Sequence, residues 1–235
     1  YVNDLLTPGA SVALGRDQSR YLISVMRLSA GDAVLVFNGK DGEWLAEVAA
    51  MGKRDCTLDV REQTRAQSSP PDLWLMFAPI KKTRTDFIVE KATEMGAQRI
   101  APVFTRHTNA ERVNSERLAA HCVEAAEQCG LLSVPAVAPP QRLDAVLDDW
   151  PSDRRLMFCD ETADHGAAAK ALSAAGGDKW AVLIGPEGGF SADEVARLRA
   201  MSCATPVSLG PRILRADTAA VAALTLWQAT MGDWR

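Results

Sequence analysis

Two short stretches near the carboxyl end hold the residues best suited to chemistry. Gly185-Pro-Glu-Gly-Gly189 follows the apolar run Trp180–Ile184 and precedes Ser191-Ala-Asp-Glu194. One βα unit later, Leu209-Gly-Pro-Arg-Ile-Leu-Arg215 runs into Ala216-Asp217-Thr218. Glycine and proline bend the chain sharply, and glycine leaves the main chain bare. Two such bends at one end of a sheet offer amides and carbonyls to a small polar ligand. Glu187 is the one charged side chain in the first turn. Arg212 and Arg215 flank Ile213 and Leu214, an arrangement that suits a ligand with one flat apolar part and one anionic part. Each turn alone is also what an ordinary strand-to-helix connection requires. Its glycines then serve geometry, Glu187 sits near a helix N-terminus, and Ile213 and Leu214 plug a core. The pair is what points to a site.

Several chemistries are not supported. Neither turn is a GxxxxGK[ST] phosphate loop or a GxGxxG fingerprint. The five cysteines are odd in number and form no CxxC pair, so neither a zinc site nor a disulfide framework is expected, and a reducing cytoplasm is the expected compartment. His107, His121 and His165 are scattered, so no metal is expected. A net charge of −4 argues against a protein that coats nucleic acid through bulk charge, though it allows a local basic face. No run of 18 apolar residues appears and the first residues show no signal peptide, so neither a membrane span nor secretion is expected.

The elements that must position these turns fall into two styles. Up to residue 67 the text is strand-like. Val34–Phe37, the turn Asn38-Gly-Lys-Asp-Gly42 and Glu43–Val48 read as a hairpin, and Cys56–Arg61 alternates at period two. Gln18–Leu28 reads as one short amphipathic helix. A small β-barrel fits residues 1–67, and Ser68-Ser-Pro-Pro71 reads as a linker. From residue 72 strand and helix alternate: strands at Leu73–Ala78, Arg99–Val103, Arg155–Cys159, Trp180–Ile184 and Val207–Leu209; helices at Thr85–Met95, Ser115–Cys129, His165–Ala175, from Ser191, and from an Asp217 or Thr218 cap to Ala229. This alternation predicts an α/β fold with a mostly parallel sheet covered on both faces. Ser191–Glu194 has the form of a capping box.

With these residues in view, the chain resembles a known family. Gly185-Pro-Glu-Gly-Gly189 followed by Leu209-Gly-Pro-Arg-Ile-Leu-Arg-Ala-Asp-Thr-Ala219 is similar to the C-terminal signature of the SPOUT, or trefoil-knot, methyltransferases. Within them it most resembles the bacterial 16S ribosomal RNA uridine-N3 methyltransferases. Lys91-Ala-Thr-Glu-Met-Gly96, Glu127-Gln128 and Val25-Met-Arg-Leu28 with Gly31-Asp32 agree with that family's pattern, so the resemblance covers nearly the whole chain. Two departures stand out. Ala216-Asp217-Thr218 replaces Thr-Glu-Thr, and Gly130-Leu-Leu132 stands where an arginine often follows the Glu-Gln pair.

The resemblance implies a SPOUT sheet with a deep C-terminal trefoil knot and an N-terminal PUA-like RNA-binding barrel. It implies S-adenosylmethionine as cofactor, held by Leu183, Ile184, Gly185, Gly188, Gly189, Leu209, Gly210, Ile213, Leu214 and Thr218. It implies methylation of N3 of a uridine in 16S ribosomal RNA, within the assembled 30S subunit, by a homodimer. The base must lose a proton, which makes Arg215, Glu187 and Asp217 the catalytic candidates. Arg20, Arg27, Lys81, Lys82 and Arg84 become candidates for contacting RNA phosphates; surface solvation is the other reading of such a cluster. The apolar stripe Ala219, Val221–Leu224, Leu226 and Trp227 is either the dimer contact or core. Two other functions stay open on the residues alone: a phosphate-transferring α/β enzyme using Gly185–Gly189 as an anion loop, and a non-catalytic RNA binder.

Overall fold

The computed structural model describes residues 1–52, 55–160, 163 and 168–235. The chain divides into two compact units, Tyr1–Ser69 and Pro70–Arg235.

The N-terminal unit is built on β1 (Ser11–Ala13), β2 (Ala33–Phe37), β3 (Glu43–Met51) and β4 (Cys56–Arg65), all antiparallel in the order β1-β4-β3-β2. Period-two patterning sets its core: Trp44, Ala46 and Val48 of β3 turn inward with Leu58 and Val60 of β4 and Val36 of β2. The hairpin turn is organised by Asn38, whose Oδ1 accepts the amides of Lys40 and Asp41. Among the described residues β1 and β2 do not pair directly, but the segment that leads into β1 spans the two edges: the Val2 amide donates to the Phe37 carbonyl of β2 at 3.0 Å and the Gly9 amide to the Val60 carbonyl of β4 at 2.9 Å. The helix expected over Gln18–Leu28 is shorter. α1 covers Arg16–Arg20, a π-helical turn covers Tyr21–Val25, and Arg27 leaves it at φ 57°. The β-branched Ile23 and Val25 resist a regular helix there.

The C-terminal unit alternates β5 (Leu73–Phe77), α2 (Lys82–Glu94), β6 (Arg99–Phe104), α3 (Ser115–Cys129), β7 (Ala136–Val137), β8 (Gln141–Arg142), α4 (Leu143–Asp148), β9 (Arg155–Cys159), α5 (Ala168–Ala175), β10 (Trp180–Ile184), α6 (Ala192–Ala200), β11 (Ala204–Val207) and α7 (Ala216–Thr230). Its sheet runs β11-β9-β10-β5-β6-β7, parallel throughout, with β8 also on β6. This is the α/β class the alternation predicts. Every residue of β10 is buried, as a central parallel strand requires. Trp180, Val182 and Ile184 enter the core shared with α2, α3, α5 and α7, while Ala181 and Leu183 enter the opposite core with α4 and α6. Helices therefore cover both faces.

The ends of these elements follow the local chemistry. Gly130 closes α3 in the left-handed region, at φ 70°. Ser191 caps α6 in a full capping box with Glu194. The helix expected over His165–Ala175 begins outside the described residues, and its described part is α5. The last helix differs from expectation. Arg215, not Asp217 or Thr218, holds the N-cap of α7, with no side-chain cap bond. Asp217 lies inside the first turn, where its Oδ1 accepts the Thr218 amide. Of the apolar stripe on α7, Ala219, Ala223, Leu224 and Trp227 are buried in this unit's own core, leaving Val221, Ala222 and Leu226 half-buried.

Candidate active site

β11, β9 and β10 are neighbours in the sheet, so the segments leaving their carboxyl ends emerge side by side. Open parallel sheets bind ligands at that edge. There a cavity of about 450 Å³ is lined by both glycine turns. Ile184, Gly185, Glu187 and Gly189 come from the first turn, Leu209, Gly210, Ile213 and Leu214 from the second, and Cys159 and Asp160 from the end of β9. The volume lies in the range of small-molecule sites.

The first turn is held from three sides. Gly189 takes φ 69°, a region that favours glycine, and its amide donates to the Pro186 carbonyl at 2.9 Å. Gly185 lies so close to the Phe190 ring that a Cβ would stand 3.1 Å from it. Glu187 accepts from Arg84 Nη1 at 2.6 Å, and Arg84 Nε is also 3.7 Å from Asp217 Oδ2. One guanidinium from the start of α2 thus joins the first turn to the helix that follows the second. His107, on the loop after β6, approaches the same turn with Nδ1 3.1 Å from the Gly188 carbonyl and 3.2 Å from that of Gly189.

The second turn is more open. Gly210 takes φ 107° and its amide reaches Ser208 Oγ at 3.4 Å. Ile213 is 85% exposed although it lines the cavity. Arg212 and Arg215 are exposed as well.

Not every expected residue meets the cavity. Leu183 is wholly enclosed in the core, and Gly188, Thr218, Arg215 and Asp217 are not among the lining residues. Arg84, expected at RNA phosphates, is engaged with two carboxylates. Lys81 and Lys82 beside it are exposed, as are Arg20 and Arg27 of the N-terminal unit. The sequence also left residues unread. Phe190 and the pair Asp160–Arg199 line the cavity, with Arg199 Nη2 2.5 Å from the buried Asp160 carboxylate. Cys159 lies beside them, its thiol pushed up to about 12 by burial, so it stays protonated in the cavity wall. Only a double glycine followed by an aromatic hinted at Phe190. The Arg84, His107 and Arg199 contacts join residues far apart in sequence. No group of three or more metal-ligating side chains exists among the described residues.

Bare main chain, aliphatic side chains and one aromatic ring line this cavity together with Asp160, Glu187, Arg199 and Arg212, which suits a flat ring with a charged tail. Comparison with known proteins places this fold and cavity among the RNA methyltransferases. The family described as RNA methyltransferase domain matches residues 67–228, and that described as RNA methyltransferase PUA domain matches residues 14–61. The ribosomal RNA small subunit methyltransferase E of Rickettsia conorii is 30% identical over 227 residues, 95% of this chain and 92% of its own. The protein of that name from Synechocystis is 32% identical, over 92% of this chain and 72% of its own. The structure matches that of a ribosomal RNA small subunit methyltransferase E from Neisseria gonorrhoeae, solved bound to S-adenosyl methionine. Its TM-score is 0.90 at 26% identity, covering 100% of this chain and 98% of that one. The chain belongs to the ribosomal RNA small subunit methyltransferase E family.

Proposed function

We propose that this protein methylates N3 of one uridine of 16S ribosomal RNA, with S-adenosylmethionine as donor, and that the assembled 30S subunit is its substrate. The observation that carries the reading is the cavity between the two glycine turns, in a chain of this family. Its aliphatic walls and bare main chain fit adenine and ribose, with the adenosine part against Ile184, Gly185, Gly189, Leu209, Gly210, Ile213 and Leu214. Leu183 is buried beside Ile184 in β10. When bound, the donor supplies an electrophilic methyl group on a sulfonium sulfur.

The chain's own residues supply the rest. Uridine N3 carries a proton that must leave before or during attack, and the resulting charge spreads over the base carbonyls. Arg215, exposed at the start of α7, is the cation assigned to that charge or to the adjacent phosphate. Glu187 and Asp217 orient the cations around the site and are candidate proton acceptors. Lys81 and Lys82, with Arg20 and Arg27 of the N-terminal unit, contact RNA phosphates, while Arg84 serves the two carboxylates. Residues 1–67 act as the RNA-binding domain and 72–235 as the catalytic one. A trefoil knot around the second turn, a homodimer using the half-buried face of α7, and a cytoplasmic location complete the reading. No helix among the described residues is long and apolar enough to cross a membrane.

Two experiments test this proposal. Isothermal titration of the purified protein should show saturable S-adenosylmethionine binding. Mass spectrometry of 16S ribosomal RNA from cells lacking the protein should show the loss of one N3-methyluridine, restored by the wild-type protein on 30S subunits in vitro. Binding of ATP with magnesium and none of S-adenosylmethionine would instead mark a phosphate-transfer enzyme.

A further inference from the structure

We propose that His107 is the proton acceptor of the methyl transfer, taking the uridine N3 proton on Nε2; the inference rests on the function proposed above. Nδ1 of His107 faces two carbonyl oxygens of the first turn, those of Gly188 and Gly189, at 3.1 and 3.2 Å. A carbonyl can only accept, so Nδ1 carries the proton in both contacts. The neutral imidazole then has its lone pair on Nε2, and the ring is exposed. An exposed histidine whose tautomer is fixed by backbone acceptors is a base already set to receive a proton.

The loop that carries it is pinned. Thr105 accepts the Thr108 amide at 3.2 Å and donates its own amide to Thr108 Oγ1 at 2.9 Å. The Arg106 amide donates to Glu194 Oε1 at 2.8 Å, tying the loop to the capping box of α6. The turn that His107 touches also supplies Glu187 and Gly189 to the cavity wall. Glu187 and Asp217, the other candidate acceptors, both face Arg84, at 2.6 and 3.7 Å. The charged groups on the elements around His107 are Arg106, Glu111 and Arg112 in its own loop, Glu187 in the turn, Asp193 and Glu194 at the start of α6, and Lys82 and Arg84 at the start of α2.

The step balances. The N3–H bond breaks with its proton moving to Nε2. The N3 electron pair forms the bond to the methyl carbon, and the carbon–sulfur bond pair remains on sulfur, leaving a neutral thioether. The imidazolium then returns its proton to water.

Two measurements test the inference. In 15N-histidine spectra of the wild-type protein without donor, the neutral His107 ring should show a protonated Nδ1 and a bare Nε2; the opposite tautomer overturns the proposal. His107→Asn keeps an N–H donor for the two carbonyls but has no base. It should bind S-adenosylmethionine within about threefold of wild type, lose single-turnover methylation of 30S subunits by about 100-fold, and lose the acid limb of the wild-type pH–rate profile. A His107→Asn rate within threefold of wild type overturns it, as does a rate lost only in proportion to donor affinity. A wild-type protein that binds no donor and methylates no 30S subunit defeats the underlying function, and this inference with it.

Discussion

The two turns that wall the cavity share a vocabulary of glycine, proline and charge, yet the structure treats them differently. The first is clamped: Arg84 holds its carboxylate, His107 meets two of its carbonyls, and Phe190 packs against Gly185. The second presents Ile213 to solvent at 85% exposure, with Arg212 and Arg215 exposed beside it. An aliphatic side chain left open at the rim of a cavity gains burial when a ligand arrives. One wall is therefore built before binding, and the other has burial still to gain from binding. This division suits a donor whose adenosine is seated against a preformed wall and covered from the other side.

The comparison can be broken at either wall. The largest effect is expected from Gly189→Val. A β-branched residue at φ 69° is strained by about 1–3 kcal/mol, so titration should show donor affinity reduced by about 10- to 100-fold. Next is Glu194→Ala. The buried Glu194 carboxylate accepts the Ser191 amide and hydroxyl and the Arg106 amide, so its removal should cost about 1–3 kcal/mol in urea unfolding and loosen the His107 loop. Ile213→Ala sharpens the contrast. Exposed in the free protein, it should leave stability within about 0.5 kcal/mol while weakening donor binding by up to about tenfold through lost burial. The smallest effect belongs to Arg84→Ala. Its ion pairs are partly solvated, worth less than about 1 kcal/mol, so affinity should fall only a few-fold and the loss should shrink at high salt. If Ile213→Ala cost as much stability as Glu194→Ala, the two walls would not differ in the way described.

Much of the fold was legible because its signals are local. Ser191 and Glu194 stand three apart and form the capping box, Gly130 follows α3 directly, and the apolar run at Trp180–Ile184 is the fully buried central strand. The errors are local signals overruled by distant partners. Asp217 has the chemistry of an N-cap, but its carboxylate faces Arg84, and Arg215 takes the cap position with backbone geometry alone. The α7 stripe reads as dimer contact or core, and only the fold shows which of its residues face α2, α5 and β10. The two-residue strands β7 and β8 carry too little pattern to be read. The turns themselves were visible in sequence; what supports them was not. Arg84 lies 103 residues from Glu187 and His107 lies 81 from Gly188, so only the folded chain shows which cation is committed to carboxylates and which histidine touches the site.

The central claim is that the two turns enclose the methyl donor between them. A crystal structure of the protein with S-adenosylhomocysteine tests it directly. The adenosine moiety should lie against the main chain of Gly185–Gly189 and Leu209–Leu214, with Ile213 folded over it. A ligand bound elsewhere, or turns whose side chains already fill the cavity, would contradict it.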